Sequence, residues 1–422
     1  MLDIQFIREN TTTVKEACQN KNLDPKVVDE LVSVDEKRRT LIGQVEQIRK
    51  ERNTLNDQLK SARTPELIAK SKDLKAKLGE LEPKLKEIED TYTTLMYAIP
   101  NVPLDEVPVG KDESGNVVVR EWGDKKKFDF TPKDHIELGV KNGWLDLERG
   151  SKVAGFRGYY LKNAAALLQI RLMQYALKKF VEKGFTPLIP PVVDKRQAFI
   201  NTGHFPWGEK ETYRLAEDLP AGEAGETDPQ NDYFLAGTAE IPLVSYYAGE
   251  TLREKDLPIK MVGFSPCYRR EIGSYGKDTK GFYRVHEFWK IEQVVLCKAD
   301  LADSIDWHEK MLGYTEELLQ DFGIPYRVLL MCTGDMGEPQ AKKYDIEAWM
   351  PGRGAYGEVA SDSIMTDFQS RRANIRYQTT DGSTKFVHML NNTALASTRT
   401  IISLWENFQQ KDGTVQLPKC LE

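Results

Sequence analysis

The chain has 422 residues, more than a single hydrophobic core usually serves, and its 40% apolar and 29% charged content suits folded domains and excludes a wholly disordered chain. A formal net charge of -6 excludes a protein that coats nucleic acid unspecifically, yet leaves room for a local basic surface that touches one particular RNA; no DNA partner is expected. Cys18, Cys267, Cys297, Cys332 and Cys420 are scattered without metal-ligand spacing, no run of eighteen apolar residues occurs, and Met1 to Arg8 lacks a basic flank before an apolar segment. These features predict a reduced, cytoplasmic protein with no zinc site and no membrane partner.

From about Asp24 to Met96 the chain is rich in Lys, Arg, Glu, Leu and Ala, with Gly43 and Gly79 its only glycines. Leu41, Val45, Ile48, Arg52, Leu55 and Leu59 step by four and three, as do Leu74, Leu78, Leu81, Leu85, Ile88, Tyr92 and Leu95, which is the seam of a coiled coil. Between the runs, Thr64 is suited to cap a new helix and Pro65 to its first position, so the arm turns back as an antiparallel hairpin. Helices of about 30 residues reach ~45 Å. Pro83 falls inside the second run and predicts a kink or an interruption. Lys37, Arg38, Arg49, Arg52, Lys60, Arg63, Lys75 and Lys77 permit phosphate contacts, although such an arm equally serves as a dimerisation element or a spacer.

Pro100, Pro103 and Pro108 end the helical character and mark a boundary between residues 1–105 and 106–422. Pro132 to Leu147 reads as a short helix and turn, and Gly155 to Tyr160 as an opening strand. In Asn163 to Gly184, Leu167, Ile170, Met173, Leu177 and Val181 recur at helical spacing, with Lys178, Lys179 and Lys183 complementing the C-terminal dipole. Phe185 to Val193 follows as a strand whose prolines restrict it to a sheet edge or an interface. The acidic, glycine-rich passage around residues 216–232 reads as a surface loop.

Polar groups then concentrate. Thr238 and Glu240 flank Ala239 and, on an extended strand, project to one side as a cradle for an ammonium group. Cys267 to Glu292 reads as two antiparallel strands joined by a loop, Ile272 to Tyr283, that carries Gly273, Gly276, Gly281, Lys277, Asp278 and Lys280. Arg269 suits a phosphate, and Glu271 and Glu292, the latter near Phe288, suit donors from a base or an amine. Between Asp345 and Arg372, Glu347, Glu358, Ser361 and Ser363 offer oxygen ligands for a hard cation such as Mg2+, or an acidic face balanced by Arg371 and Arg372. In Leu390 to Gln410 a strand passes into an amphipathic helix with Arg399 near its first turns, beside N–H groups and a positive dipole end that attract polyphosphate.

Arg269, Arg270 and Glu271, followed by Gly273, Ser274, Gly281, Arg284, His286, Phe288 and Glu292, resemble motif 2 of the class II aminoacyl-tRNA synthetases, and the spelling is similar to that of the seryl-tRNA synthetases. The helix, strand and Pro191 resemble motif 1, Leu390 to Gln410 resembles motif 3, and the Thr-x-Glu triplet and the arm stand in family order. The resemblance implies an α+β fold: a class II synthetase antiparallel β-sheet catalytic domain over 106–422, flanked by helices and preceded by an N-terminal antiparallel coiled-coil arm that binds tRNA. It implies a homodimer built on motif 1 and contact between the acceptor end of the tRNA and the motif 2 loop.

By the same resemblance ATP meets Arg269, Arg270, Glu271, Val285, Phe288, Glu358, Val359, Ala360, Ser361 and Arg399, with Arg269 and Arg399 catalytic. Phe288 stacks adenine against Arg399, and Glu358 and Ser361 hold Mg2+. L-Serine meets Thr238, Ala239, Glu240, Glu292 and Thr393, the last two reading its hydroxyl. The implied activity is serine-tRNA ligation: serine plus ATP to seryl-adenylate, then transfer to the 3' end of tRNA(Ser) and with it tRNA(Sec). A paralogue that charges a carrier protein and a non-catalytic RNA-binding homologue are the alternatives. His286 is expected to make a structural hydrogen bond. Ala236-Gly237 departs from the family pattern and bears on the shape of the Thr-x-Glu loop, Asp362 and Ile364 depart from it and inherit no role, and at Ala394 and Thr398, which stand where the pattern has glycine, a slightly altered geometry with retained activity is expected.

Overall fold

The structure, a computed structural model, describes residues 1–215, 232–272 and 281–422. Most of the acidic loop and the tip of the motif 2 loop, with Gly273, Ser274, Gly276, Lys277, Asp278 and Lys280, therefore lie outside the described residues. The chain forms two compact units, Leu2–Pro100 and Asn101–Glu422 together with Met1.

In the first unit, short helices Ile4–Glu9 and Thr11–Asn20 precede α1 (Lys26–Ser61, 36 residues) and α2 (Pro65–Ala98, 34 residues). Ile7, Val14, Cys18, Val28 and Leu31 are fully buried, each contributing about 1.5–3 kcal/mol of transfer free energy. Thr64 caps α2, its Oγ1 accepting from Leu67 N at 3.3 Å, and Pro65 opens the helix. Every seam residue named above is buried or half-buried. Arg49 reaches across the hairpin to Glu82 at 2.8 Å, and Arg38 to Glu89 at 3.5 Å while lying 4.6 Å over the Tyr92 ring. Two of the basic residues counted toward phosphate binding thus tie the helices together. α2 continues as one helix through Pro83, whose missing N–H interrupts the hydrogen-bond ladder at one carbonyl, as expected. Pro83 is exposed, so the carbonyl that its missing N–H leaves unpaired faces water.

The second unit is built on an eight-stranded sheet: β1 (Val117–Trp122), β2 (Thr186–Leu188), β3 (Ile259–Tyr268), β4 (Glu287–Cys297), β5 (Tyr326–Leu330), β6 (Lys342–Met350), β7 (Ala355–Thr366) and β8 (His388–Ala396), in the order β1-β5-β6-β7-β8-β4-β3-β2. All neighbours are antiparallel except β2, which pairs parallel with β3 at the edge that its proline demands. The opposite edge strand, β1, was passed over in the sequence although Val117, Val118, Val119 and Trp122 are strand-forming types. The expected opening strand shrinks to Tyr160–Leu161, paired with Leu145–Asp146.

Helices α3 (Ala164–Glu182), α4 (Leu301–Asp321) and α5 (Ser397–Phe408) pack on one face of the sheet, where Leu172, Phe180, Met311, Leu318, Ile401 and Trp405 join Ile291, Val295, Ile346 and Leu390 in the main core. On β4, Gln293 donates to Met311 O on α4. Its neighbour Glu292 must point to the other face, because side chains alternate along a strand. That other face carries the site.

Candidate active site

A cavity of about 250 Å³ opens on the face away from α3 and α4. Its lining unites Thr238, Glu240, Arg269, Glu271, Val285, Phe288, Glu292, Glu358, Val359, Ala360, Ser361, Thr393 and Arg399 from segments far apart in the chain. Two expected site residues stay outside that lining. Ala239 is buried under Gly263 and Leu243, while Arg270 donates through its backbone N to Glu211 O (3.0 Å) and through Nη1 to Lys210 O (3.0 Å).

β3 and β4 pair Cys267 with Phe288 and Gly263 with Glu292. The first strand ends at Tyr268, so Arg269 and Glu271 sit in the connection and not on the strand that the alternation predicted. Arg269 N donates to His286 O at 3.0 Å, and His286 Nδ1 lies 2.9 Å from Arg269 O: the histidine pins this backbone. Arg269 Nε donates to Gly237 O at 3.2 Å and its guanidinium lies 5.3 Å over Phe288. Glu271 has φ +53, a conformation that costs a non-glycine residue roughly 1 kcal/mol or more, and Arg284 and Arg157 reach its Oε2 at 3.5 and 3.7 Å.

Two β-bulges shape the opposite wall. The β6–β7 register runs Ile346 with Ala360, then Glu347 with Glu358, leaving Val359 extra; the β8–β4 register runs Thr393 with Glu292, then Leu395 with Ile291, leaving Ala394 extra. Residues three apart on a regular strand face opposite sides, so the bulge at Val359 is what lets Glu358 and Ser361 share the cavity. Neither Ala394 nor Thr398 has a positive φ, so neither position requires the glycine of the family pattern.

Arg399, on the first turn of α5, donates to Glu358 O at 3.2 Å, pairs with its Oε2 at 3.1 Å, and lies 4.8 Å over the Tyr283 ring. Tyr283 Oη in turn donates to Glu358 O at 2.9 Å. Partial burial opposes the charge on Glu358, but Arg399, Lys343 and Arg269 around it hold its carboxyl well below the ordinary range. It is an anion at neutral pH.

At the other end, Thr238 and Glu240 do not lie on an extended strand. Thr238 Oγ1 accepts from Glu240 N at 3.1 Å, a local bond that turns the chain into the helix Glu240–Ser245. Glu240 Oε1 accepts from Gln369 Nε2 (2.7 Å) and Asn391 Nδ2 (2.9 Å). Glu292 accepts from Thr393 Oγ1 at 3.1 Å and pairs with Lys290 Nζ at 2.5 Å. Burial pushes the carboxyls of Glu240 and Glu292 upward, against the pull of their hydrogen-bond partners and of Lys290.

Sequence reading passed over His204, Tyr283, Lys290, Gln340, Lys343 and Asn391, which also line the cavity. Lys290 was findable, being two residues from Glu292 on one strand and so on the same face; His204 and Gln340 come from distant segments and carried no local signal. Among the described residues no three His, Cys, Asp or Glu side chains gather as a metal site, and no helix is long and apolar enough to cross a membrane. The cavity thus has a cationic end with an aromatic shelf and a polar end with two buried carboxylates.

Residues 1–103 match the model of the seryl-tRNA synthetase N-terminal domain and residues 224–408 that of the class II tRNA synthetase core domain (G, H, P, S and T). A serine-tRNA ligase of Deinococcus radiodurans is 44% identical, with 100% of this chain and 96% of the relative aligned. Among solved structures, the seryl-tRNA synthetase of Pyrococcus horikoshii complexed with ATP superposes with a TM-score of 0.89 at 40% identity, covering 100% of this chain and 97% of that one. The cytoplasmic serine-tRNA ligase of Naegleria fowleri in complex with AMP gives 0.85 at 30% identity, covering 100% and 96%.

Proposed function

The chain belongs to the seryl-tRNA synthetase family, and we propose that it activates L-serine with ATP and transfers the seryl group to the 3' end of tRNA(Ser), and with it tRNA(Sec), in the cytoplasm. The observation that carries this reading is the two-ended cavity: the guanidinium groups of Arg269 and Arg399 at one end, the buried carboxylates of Glu240 and Glu292 with the hydroxyls of Thr238 and Thr393 at the other. Serine's carboxylate attacks the α-phosphorus of ATP and pyrophosphate leaves in line, so the main task is to neutralise and align two anions. Arg269 binds the α-phosphate and Arg399 the γ-phosphate. Phe288 shelves the adenine against Arg399, whose amine Glu271 accepts. Thr238 and Glu240 take the serine ammonium; both hydrogen bonds to Glu240 go to Oε1, which leaves Oε2 for the substrate. Glu292 accepts from the hydroxyl, and Thr393, whose single O–H goes to Glu292 in this structure, turns it to the hydroxyl oxygen, so alanine leaves buried polar groups unpaired and is rejected.

Glu358, held anionic, and Ser361 are oxygen donors on one wall and fit Mg2+, which takes few protein ligands and the rest from phosphates and water. When bound there, the ion supplies charge neutralisation to the phosphates.

Leu167, Ile170 and Val181 on α3 and Ile189, 82% exposed, are exposed apolar side chains, which suits a homodimer interface in this region. On the arm, Lys37, Arg63 and Lys75 are exposed and enter none of the described ion pairs, which suits contact with tRNA phosphates. Carrier charging and catalytic loss find no support, since serine-tRNA ligases align along the whole chain, arm included. The test is ATP–pyrophosphate exchange across the proteinogenic amino acids. Exchange with serine alone is expected; no exchange with any of them overturns the reading.

A further inference from the structure

Lys290 is the most deeply enclosed cation of the cavity, 3% exposed, and no motif assigns it a role. Its Nζ lies 2.5 Å from Glu292 Oε2, 2.6 Å from Thr238 Oγ1 and 3.3 Å from Thr393 Oγ1. These are three of the groups that the proposed function gives to serine. An ammonium has three donors, and these three oxygens use all of them. Thr238 Oγ1 also accepts from Glu240 N, so both its acceptor positions are taken. Glu292, itself 2% exposed, has no other cation within ion-pairing distance among the described residues.

We propose that Lys290 is a specificity-determining residue: its ammonium keeps the Glu292 carboxylate an acceptor for the hydroxyl of the amino acid, and it yields Thr238 Oγ1 to the substrate ammonium on binding. The inference rests on the seryl reading of the site. A buried carboxylate without a counter-ion takes up a proton, and a carboxylic acid no longer demands a hydroxyl donor. The other charged or titratable groups around Glu292 and Lys290 do not replace this cation. Glu240 and Asp362 are carboxyls, Cys267 is a buried thiol pushed upward, and burial lowers His204 to about 4, which leaves it neutral. Arg269 donates to Gly237 O and faces Phe288. Once serine is bound, its hydroxyl meets Glu292 and Thr393 while Lys290 retains both, so the lysine works through Glu292 on the substrate.

The experiment is serine-dependent ATP–pyrophosphate exchange by the full chain across about pH 6 to 9, for wild type, Lys290→Met and Lys290→Arg, with ATP binding measured separately. In Lys290→Met we expect KM for serine to rise roughly 10–100-fold at neutral pH, and to recover by up to about tenfold per pH unit on going alkaline as Glu292 ionises without its partner. ATP binding stays within about twofold, and the serine-over-alanine ratio of kcat/KM falls. An ATP-binding Lys290→Met whose serine KM is unchanged, or raised equally at every pH, overturns the proposal. Should Lys290→Met fail to bind ATP, Lys290→Arg decides: a serine KM within about tenfold of wild type and level across the pH range supports a charge role, and a KM raised more than that overturns it. Wild-type protein that does not exchange with serine fails the functional reading itself, and that control separates the two failures.

Discussion

Glu292 and Glu358 are both glutamates lining one cavity, yet their surroundings drive them apart. Burial raises the Glu292 carboxyl, while Arg399, Lys343 and Arg269 overcome partial burial and lower that of Glu358. Under the proposed function, serine recognition by the Glu292 anion is therefore expected to be lost as pH falls through its raised value, whereas Glu358 keeps its charge to lower pH. Steady-state exchange in mildly acidic buffer is expected to show KM for serine climbing while KM for ATP stays level; parallel rises would remove the assignment of Glu292 to the hydroxyl. Glu292→Ala is expected to cost serine activation roughly 100-fold or more with ATP binding spared, measured by exchange and by nucleotide titration. Gly281 marks a different limit. Its φ is +74, and a Cβ there would fall 2.1 Å from His135 Nε2, so Gly281→Ala is expected to destabilise the body by about 2–4 kcal/mol in denaturant unfolding.

At the scale of elements, the arm was legible and the bulges were not. A heptad seam, a threonine cap and a proline in the first turn act within a few residues of chain, so α1, α2 and their reversal could be read without a partner in view. Pro83 removes one hydrogen bond, as its chemistry dictates, but the helix continues, and whether it tolerates that loss depends on where the orphaned carbonyl points, which neighbours in space decide. Pro83→Ala restores one hydrogen bond and is expected to stabilise the arm by about 1–3 kcal/mol, seen as a higher midpoint when the helical circular dichroism signal is melted. The bulges at Val359 and Ala394 depend on strand register, which no local pattern encodes; period-2 reasoning puts Glu358 and Ser361 on opposite faces, and the structure puts them on one.

On the scale of the molecule, the two compact units carry separable tasks under the proposed function. Removing Asp35 to Asp90 is expected to leave serine-dependent exchange near wild type and to abolish aminoacylation of tRNA; loss of exchange as well would show that the arm supports the catalytic unit. Ile189→Glu, at one of the exposed apolar side chains, is expected to shift the protein to a monomer in sedimentation. By itself the sequence singled out side chains that the fold gathers in one cavity, Arg269, Glu271, Phe288, Glu292 and Arg399 among them, and the order of arm, linker and body, because motif spelling, heptads and prolines are local properties of the chain. Only the tertiary structure decided that Ala239 and Arg270 stand outside the cavity lining and that Lys290 joins Glu292, Thr238 and Thr393. Those outcomes depend on strand register, bulges and burial, which come from segments tens to hundreds of residues apart meeting across one sheet.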